Sequence, residues 1–577
     1  MKTRSILLTW IILIAPSITV STRAQVESPQ DRPDRVLVDA VQQQDFDSAN
    51  ALLKNGQVDV NTPQADGSTA LAWAVHWDHF DTAENLIRAG ANVNTANDLG
   101  VTPLMLAAHN GSISLAKILL NAGASPNASR SSGDTALMLA ARVGNRGVVK
   151  LLTSAGANPN ATTASGHTAL MWAAAEKHAD VAQALLDEGA ALVDVRTEFR
   201  RPPQRRRYGG QRKMVLLREG EAANPAELPR DGDGDPPRTQ GGFTPLLYAV
   251  LSGDLETVRV LVDGYADVNE AAPDGVSALM LALTKRHEEL ALFLIERGAD
   301  PNYDARSEVL RAYSYLADGQ DPLAAEPPEE ADDFAGYTAL HVAAATGQHA
   351  ALRALLARDA DPNARMDRPK RFIDAFEIGV FTAPGAGRLT QVGSTPFMLA
   401  AKTADPEAMR ILAEAGADPF ATTEDGTGAL MLATGLGKRA ATDVTYYKWN
   451  QHNAIEASQV ALELGIDINA ANEWGETALH GATYHAADDL IRFLVDNGAD
   501  IDATDWENQT PLRLAKGHMI CCTTYVEHPQ IADVLLKLGA APEAGRQVTF
   551  GLLGYHSENK DDSSPITNQT EALEDPR

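Results

Sequence analysis

Residues 133–165 read GDTALMLAARVGNRGVVKLLTSAGANPNATTAS, and this stretch decides the fold. Thr135 and Ala136 open a helix whose narrow apolar face is Leu137, Leu139, Ala140 and Ala141. Gly144 marks a turn. Val148, Val149, Leu151 and Leu152 then form the apolar stripe of a second helix, at helical spacing. Gly156 follows where a left-handed helix cap is expected, a conformation that glycine adopts at least cost. Residues 157–160 lead into a turn rich in Asn, Thr and Ser. Two short helices with one-sided apolar faces cannot bury a core by themselves, so the unit needs neighbours.

The neighbours are present. The anchor leucine recurs at Leu71, Leu104, Leu137 and Leu170, each 33 residues after the last. Thr102-Pro103-Leu104, Thr244-Pro245-Leu246, Thr395-Pro396-Phe397 and Thr510-Pro511-Leu512 place proline at the first helical position, where it costs no hydrogen bond. Gly-Ala-Asp/Asn endings recur at Gly90, Gly298, Gly416 and Gly498. From about residue 36 to residue 540 the sequence resembles the ankyrin repeat family. The resemblance implies an all-α solenoid of about 12 helix-turn-helix units, with short hairpin fingers, several long inserted loops and a concave groove used for binding proteins. Residues 36–61 read as a capping unit that resembles the second half of a repeat. The family signature T-P-L-H is altered: its histidine slot holds Met105, Met138, Met171, Met280, Met398 and Met431, with Ala72, Leu247 and Arg513 elsewhere. Only His341 and His480 match. Methionine exchanges a hydrogen bond for adaptable packing, so this stripe is read as core.

Where the period fails, loops are inserted. The anchor spacing rises to 76 between Leu170 and Leu246, 61 between Leu279 and Leu340, 57 between Leu340 and Phe397, and 49 between Leu430 and Leu479. The first three excesses follow the turn that ends a repeat and therefore lie at the fingers. The fourth, like a smaller one at 517–530, falls between the two helices of its repeat. The resulting organisation is a signal peptide at 1–24, a linker at 25–35, and repeats at 36–194. A basic, Pro-rich insertion at 195–240 precedes repeats at 241–302. An acidic insertion at 303–334, a repeat at 335–363 and an insertion at 364–392 follow. Repeats at 393–540 carry an aromatic-rich insertion at 435–456, and the chain closes with a polar tail at 541–577.

The chain has 577 residues and a formal net charge of −28. An acidic balance of that size favours solubility and disfavours nucleic acid and anionic membrane surfaces. Lys2 and Arg4 precede an apolar run at 6–15 that is too short to span a membrane, and Thr22-Arg23-Ala24 resembles a cleavage site. Cleavage before Gln25 would remove three cations and leave −31. Export to a periplasmic or extracellular space is therefore expected, with no stable membrane insertion after cleavage; an uncleaved N-terminal anchor is the alternative. The two cysteines, Cys521 and Cys522, are adjacent. They could form a vicinal disulfide, stay reduced, or bridge to another chain.

Several insertions hold candidate chemistry. Residues 200–213, RRPPQRRRYGGQRK, reverse the local sign of charge. They read either as a docking loop for an acidic partner or as a loop folding back on the protein's own acidic surface. The run from Asp231 to Asp235 resembles the start of a calcium loop, but Pro236 and Gly242 occupy the positions that an EF-hand gives to Gly and Glu. Tyr446, Tyr447, Trp449 and His452 form either a local core or a recognition patch. His518, Cys521, Cys522 and His528 are of metal-ligand type, yet adjacent cysteines seldom serve one zinc ion. No catalytic motif is recognisable, and no catalytic residue, metal site or cofactor is assigned.

Family geometry puts the exposed end of each first helix on the concave face. It thereby names His76, Trp77, His109, Asn110, Arg142, Glu176, Leu251, Tyr484 and His485 as partner-facing. Fingertip positions add Phe243, Tyr337, Trp474 and Trp506, while Trp172 is assigned to the core face. The reading that follows is a non-enzymatic, exported scaffold that binds another protein through groove and fingers. The alternatives are an enzyme or metal/cofactor protein with active groups in the insertions, and a protector or inhibitor of a partner enzyme.

Overall fold

First helices in this chain start on a shared cap. The hydroxyls of Thr69, Thr102, Thr168, Thr244, Thr395 and Thr510 each accept a bond from the backbone N–H three residues on, and Ser277 does the same. This satisfies one of the donors that a helix start leaves open. Pro103, Pro245, Pro396 and Pro511 occupy the first turn, where no donor is missed.

The computed structural model describes residues 35–187, 190–198, 217–218, 221–222, 242–272, 276–303, 338–366, 393–436, 451–520, 524–542, 549–550 and 556–557. Within them lie 24 helices forming twelve pairs. Repeats 1 to 6 comprise Val36–Gln42 with Phe46–Asn55, Ala70–His76 with Phe80–Arg88, Pro103–Asn110 with Ile113–Asn121, Ala136–Val143 with Arg146–Ser154, Ala169–Ala175 with Ala179–Asp187, and Pro245–Ser252 with Leu255–Asp263. Repeats 7 to 12 comprise Ala278–Thr284 with Glu288–Glu296, Ala339–Thr346 with His349–Leu356, Pro396–Lys402 with Pro406–Glu414, Ala429–Ala433 with Gln451–Glu463, Ala478–Tyr484 with Asp488–Asp496, and Pro511–Lys516 with Pro529–Leu538. Repeat 1 thus has both helices, because Leu37, Val38 and Val41 supply a buried stripe in only seven residues. His452, placed by sequence in a loop, sits in the first turn of a thirteen-residue helix. Strand among the described residues is limited to three small antiparallel pairs, of which His518–Ile520 with Thr524–Val526 lies between the helices of repeat 12.

The chain divides into two compact units, one reaching Ala136 and the other starting at Leu137. Inside each, first helices pack on first helices and second helices on second helices, giving two layers. The anchor leucines, and Phe397 in their place, fill the space between the layers. All six methionines of the altered signature are buried there too, each contributing roughly 1.5–3 kcal/mol of apolar burial. The two surviving histidines work differently. The Nδ1 atoms of His341 and His480 accept from the backbone N–H of Thr338 and Thr477, at 3.2 and 3.1 Å. The Nε2 atoms reach the carbonyls of Ser394 and Gln509 at the base of the next finger, both at 3.3 Å.

An asparagine ladder joins successive fingers. Asn94 accepts from the Ser125 N–H at 2.7 Å and donates to the Gly123 carbonyl at 3.0 Å. Asn469 makes the same pair with Asp500 and Gly498. The ladder survives insertion. Asn302 bonds Asp361 and Asp359 across 304–337, and Asn363 bonds Asp418 and Gly416 across 367–392. The inserted segments leave and return at pinched stems. The Thr197 N–H donates to the Phe243 carbonyl and the Gly242 N–H to the Thr197 carbonyl, both at 3.0 Å, and Met366 pairs with Ser394 and Gly393 in the same pattern. Among the described residues no helix is long and apolar enough to cross a membrane.

Candidate partner-binding surfaces

In the first unit, the helix Ala70–His76 and its cap residue put Trp73, His76 and Trp77 on one face, because residues three and four apart are helix neighbours. The two indoles stack with centroids 6.2 Å apart at 23°. His76 stands edge-on to both, at 5.4 and 4.7 Å. The Trp73 Nε1–H donates to Gln64 at 2.9 Å, so its polar group is satisfied. Trp77 is 38% exposed and His76 is exposed. Although exposed by area, the His76 ring is partly desolvated, and this, followed by the charge of His109, lowers its pKa below the usual imidazole value. The imidazole is thus kept neutral and fit to pack against an apolar ligand. Asn110 is different. Its amide donates to the carbonyls of Val75 and His76 at 2.8 and 3.1 Å, which ties repeat 3 to the end of the preceding first helix. His109 is half-buried beside it.

In the second unit a mixed stack runs across repeats 4 to 6. The Arg142 guanidinium lies 5.3 Å from the Trp172 ring centre. His167 stacks on the same indole at 5.3 Å and 24°, and its Nε2 is 3.0 Å from the Tyr248 hydroxyl. Phe243 packs on Tyr248 at 5.6 Å. Burial raises the Tyr248 pKa, which keeps the phenol protonated. Trp172 is therefore half-buried in this row and not in the interlayer core, because Met171 and Leu170 fill the core positions of that turn. The register position of Trp73, Leu106, Leu139, Trp172 and Tyr248 is half-buried through repeat 6. From Leu281 through Val342, Leu399 and Leu432 it is buried.

Other predicted contacts are also engaged. The His485 Nε2 bonds the Gly435 carbonyl at 2.9 Å, and Tyr484 donates to Glu476 at 3.2 Å. His485 belongs to a set that sequence reasoning missed. His178 reaches the Arg142 carbonyl at 3.2 Å and packs over Gly144. His287 covers Gly253 and bonds the Leu251 backbone. His528 bonds the Tyr484 backbone. Burial lowers the pKa of His287 and His528. A signal existed, since His178 and His287 each lie 34 residues after the glycine they cover. At the C-terminal end, Trp474 and Trp506 meet edge to face at 5.8 Å, and Trp506 is 54% exposed. Glu176 and Leu251 are exposed or half-exposed at their helix ends.

Tyr337, Cys521 and Cys522 lie outside the described residues, as do the signal region, the basic loop 200–213, the 231–235 run and the aromatic trio Tyr446, Tyr447 and Trp449. Among the described residues no three His, Cys, Asp or Glu side chains are grouped to hold a metal ion.

Comparison with known proteins agrees with this architecture. Family models match at 37–130, 123–196 and 219–305 (ankyrin repeats, 3 copies), at 460–515 (ankyrin repeats, many copies), and at 335–367 and 392–424 (ankyrin repeat). The chain is similar to the B-cell lymphoma 3 protein homolog of Mus musculus, 26% identical over 263 residues, or 44% of this chain and 48% of that protein. It is also similar to the E3 ubiquitin-protein ligase KEG of Arabidopsis thaliana, 24% identical over 302 residues, 50% of this chain and 17% of that one. Over 56 residues it is 43% identical to the Notch-regulated ankyrin repeat-containing protein B of Danio rerio, 10% of this chain and 50% of that protein. The chain spans at most about half the length of these relatives.

Proposed function

Because the chain belongs to the ankyrin repeat family, a fold that serves protein–protein interaction, we propose that it is an exported, non-enzymatic scaffold that holds a partner protein. The contact in the first unit is the Trp73–His76–Trp77 surface. One observation carries this reading. Trp77 keeps more than a third of its surface in water, stacked on a second indole whose polar group is already satisfied. Aromatic residues of this kind dominate the energetics of protein interfaces. Asn110, Tyr484 and His485 act within the stack, and the neutral His76 completes the apolar surface. Export rests on the basic start, apolar run and small-residue cleavage pattern of residues 1–24.

The test is capture of partners from the exported fraction by wild type and by a His76→Ala/Trp77→Ala variant. The variant is expected to lose the partner while keeping its thermal transition. An unchanged set of captured proteins would remove this surface from the function. N-terminal sequencing of the exported chain is expected to begin at Gln25; a chain that keeps residues 1–24 would show the anchored alternative.

A further inference from the structure

The last two hairpin fingers differ from the others in what they expose. Residues 464–476 and 497–509, outside the helices of repeats 10 to 12, carry seven carboxylates and no Lys or Arg. They also carry Trp474 and Trp506, which the backbone locks side by side through a bond from the Trp506 N–H to the Trp474 carbonyl at 2.7 Å. The rings meet at 66°, and the outer indole, Trp506, is 54% exposed. The inner indole buries its Nε1–H with no acceptor among the described residues. Glu473 precedes Trp474 and is exposed, while Glu507 follows Trp506, is half-buried and accepts from the Gln509 side-chain amide at 2.7 Å. Indole faces attract cations, most of all guanidinium groups, and flanking carboxylates add to that attraction. Anionic ligands are excluded by the same charges.

We propose that the fingers of repeats 11 and 12 form a second docking surface, for an extended Arg- or Lys-rich segment of the partner protein, with one cation seated on Trp506 and drawn there by the carboxylates of the two fingers, Glu473 and Glu507 among them. The inference rests on the protein-binding reading above and concerns a different part of the molecule. It assigns the partner a basic segment, complementary to a chain of net charge −28.

The experiment uses the full chain and a fluorescein-labelled octapeptide of alternating Arg and Ser, with a Glu-for-Arg counterpart as control. Fluorescence anisotropy should show binding of the Arg peptide alone, weakening with salt as exposed charges are screened. Trp506→Ala should raise Kd about tenfold, and Glu473→Gln/Glu507→Gln about tenfold with a flatter salt dependence. Trp506→Phe, which keeps a ring and guards against a simple folding defect, should recover part of the loss. Trp77→Ala should bind the peptide as wild type does. Equal Kd for wild type and Trp506→Ala, or equal affinity for the Glu peptide, would overturn the finger surface. Partner capture that still depends on His76 and Trp77 would then leave the first surface standing, so the two readings fail separately.

Discussion

Replacing His480 with methionine, the residue that fills the same slot in six other repeats, should remove the acid sensitivity that His480 confers on repeats 11 and 12. Burial pushes the His480 imidazole down to about 4 from 6.5. Between those values the unfolded chain binds a proton that the folded chain refuses. Stability that is fully present above pH 6.5 is therefore lost as pH falls toward 4. The loss is about 2 kcal/mol at pH 5 and about 3 kcal/mol once both forms are charged. Methionine cannot titrate, so the variant is spared this loss. At neutral pH it should be the weaker protein, because the Thr477 N–H and the Gln509 carbonyl lose their imidazole partners. Unmade bonds of this kind cost about 1–3 kcal/mol, partly offset by apolar burial, for a net cost of about 1 kcal/mol. The stability order should then invert near about pH 5.5. Repeat stability is largely a nearest-neighbour property, so the assay must be local. Hydrogen exchange of segments 477–484 and 505–516, corrected for intrinsic rates, gives the opening free energy at each pH. If the methionine variant loses as much protection as wild type between pH 7.5 and 5, the acid sensitivity does not reside in His480 and the argument fails.

Gly144→Ala should cost about 3 kcal/mol, since φ is +82° and the new Cβ would stand 2.5 Å from His178 Cε1. In a His178→Ala background the cost should drop to about 1 kcal/mol, the left-handed penalty alone; equal costs in both backgrounds, by urea denaturation, would mean that the imidazole is not the obstacle. Asn363→Ala removes both rungs across the 367–392 insertion and should cost about 1–2 kcal/mol, whereas Asn363→Asp, which keeps the acceptor for Asp418, should cost about half as much. Circular-dichroism melting checks both. Replacing residues 199–241 by two glycines should leave stability within about 1 kcal/mol of wild type, because Thr197, Gly242 and Phe243 already close the stem. A larger loss would show that the insertion supports repeats 5 and 6.

The period was legible because one local pattern repeats: a threonine cap, an anchor leucine, a left-handed glycine. Each of these acts within about twenty residues, so sequence shows it directly. The ladder was not legible in the same way. Asn94 reads as a turn residue, and nothing local says that its amide serves Gly123 and Ser125. Where insertions intervene the partners are further still, as for Asn302 and Asp359. The stack tolerates such insertions because each rung needs only the ends of the finger and not its contents. Irregular spacing in the sequence therefore coexists with regular stacking in space.

The same logic sorts the residues named for the partner surfaces. Residue type and helix position placed His76, Trp77, Asn110, Tyr484 and His485 alike at exposed helix ends. What separates them is a contact one repeat away. Asn110 and His485 spend their polar groups on carbonyls at or just past the end of the preceding repeat's first helix. A polar side chain at a helix end is drawn into such ties because the neighbouring repeat presents backbone carbonyls within reach. An indole has one donor and a large apolar face, so a tie can satisfy the donor, as Gln64 does for Trp73, and still leave the face outside. Stacking thus takes up the polar tips of Asn110 and His485 and leaves the indole faces of Trp77 and Trp506 partly in water. The exposed rings of Trp77 and Trp506 are accordingly the positions where substitution should separate binding from folding.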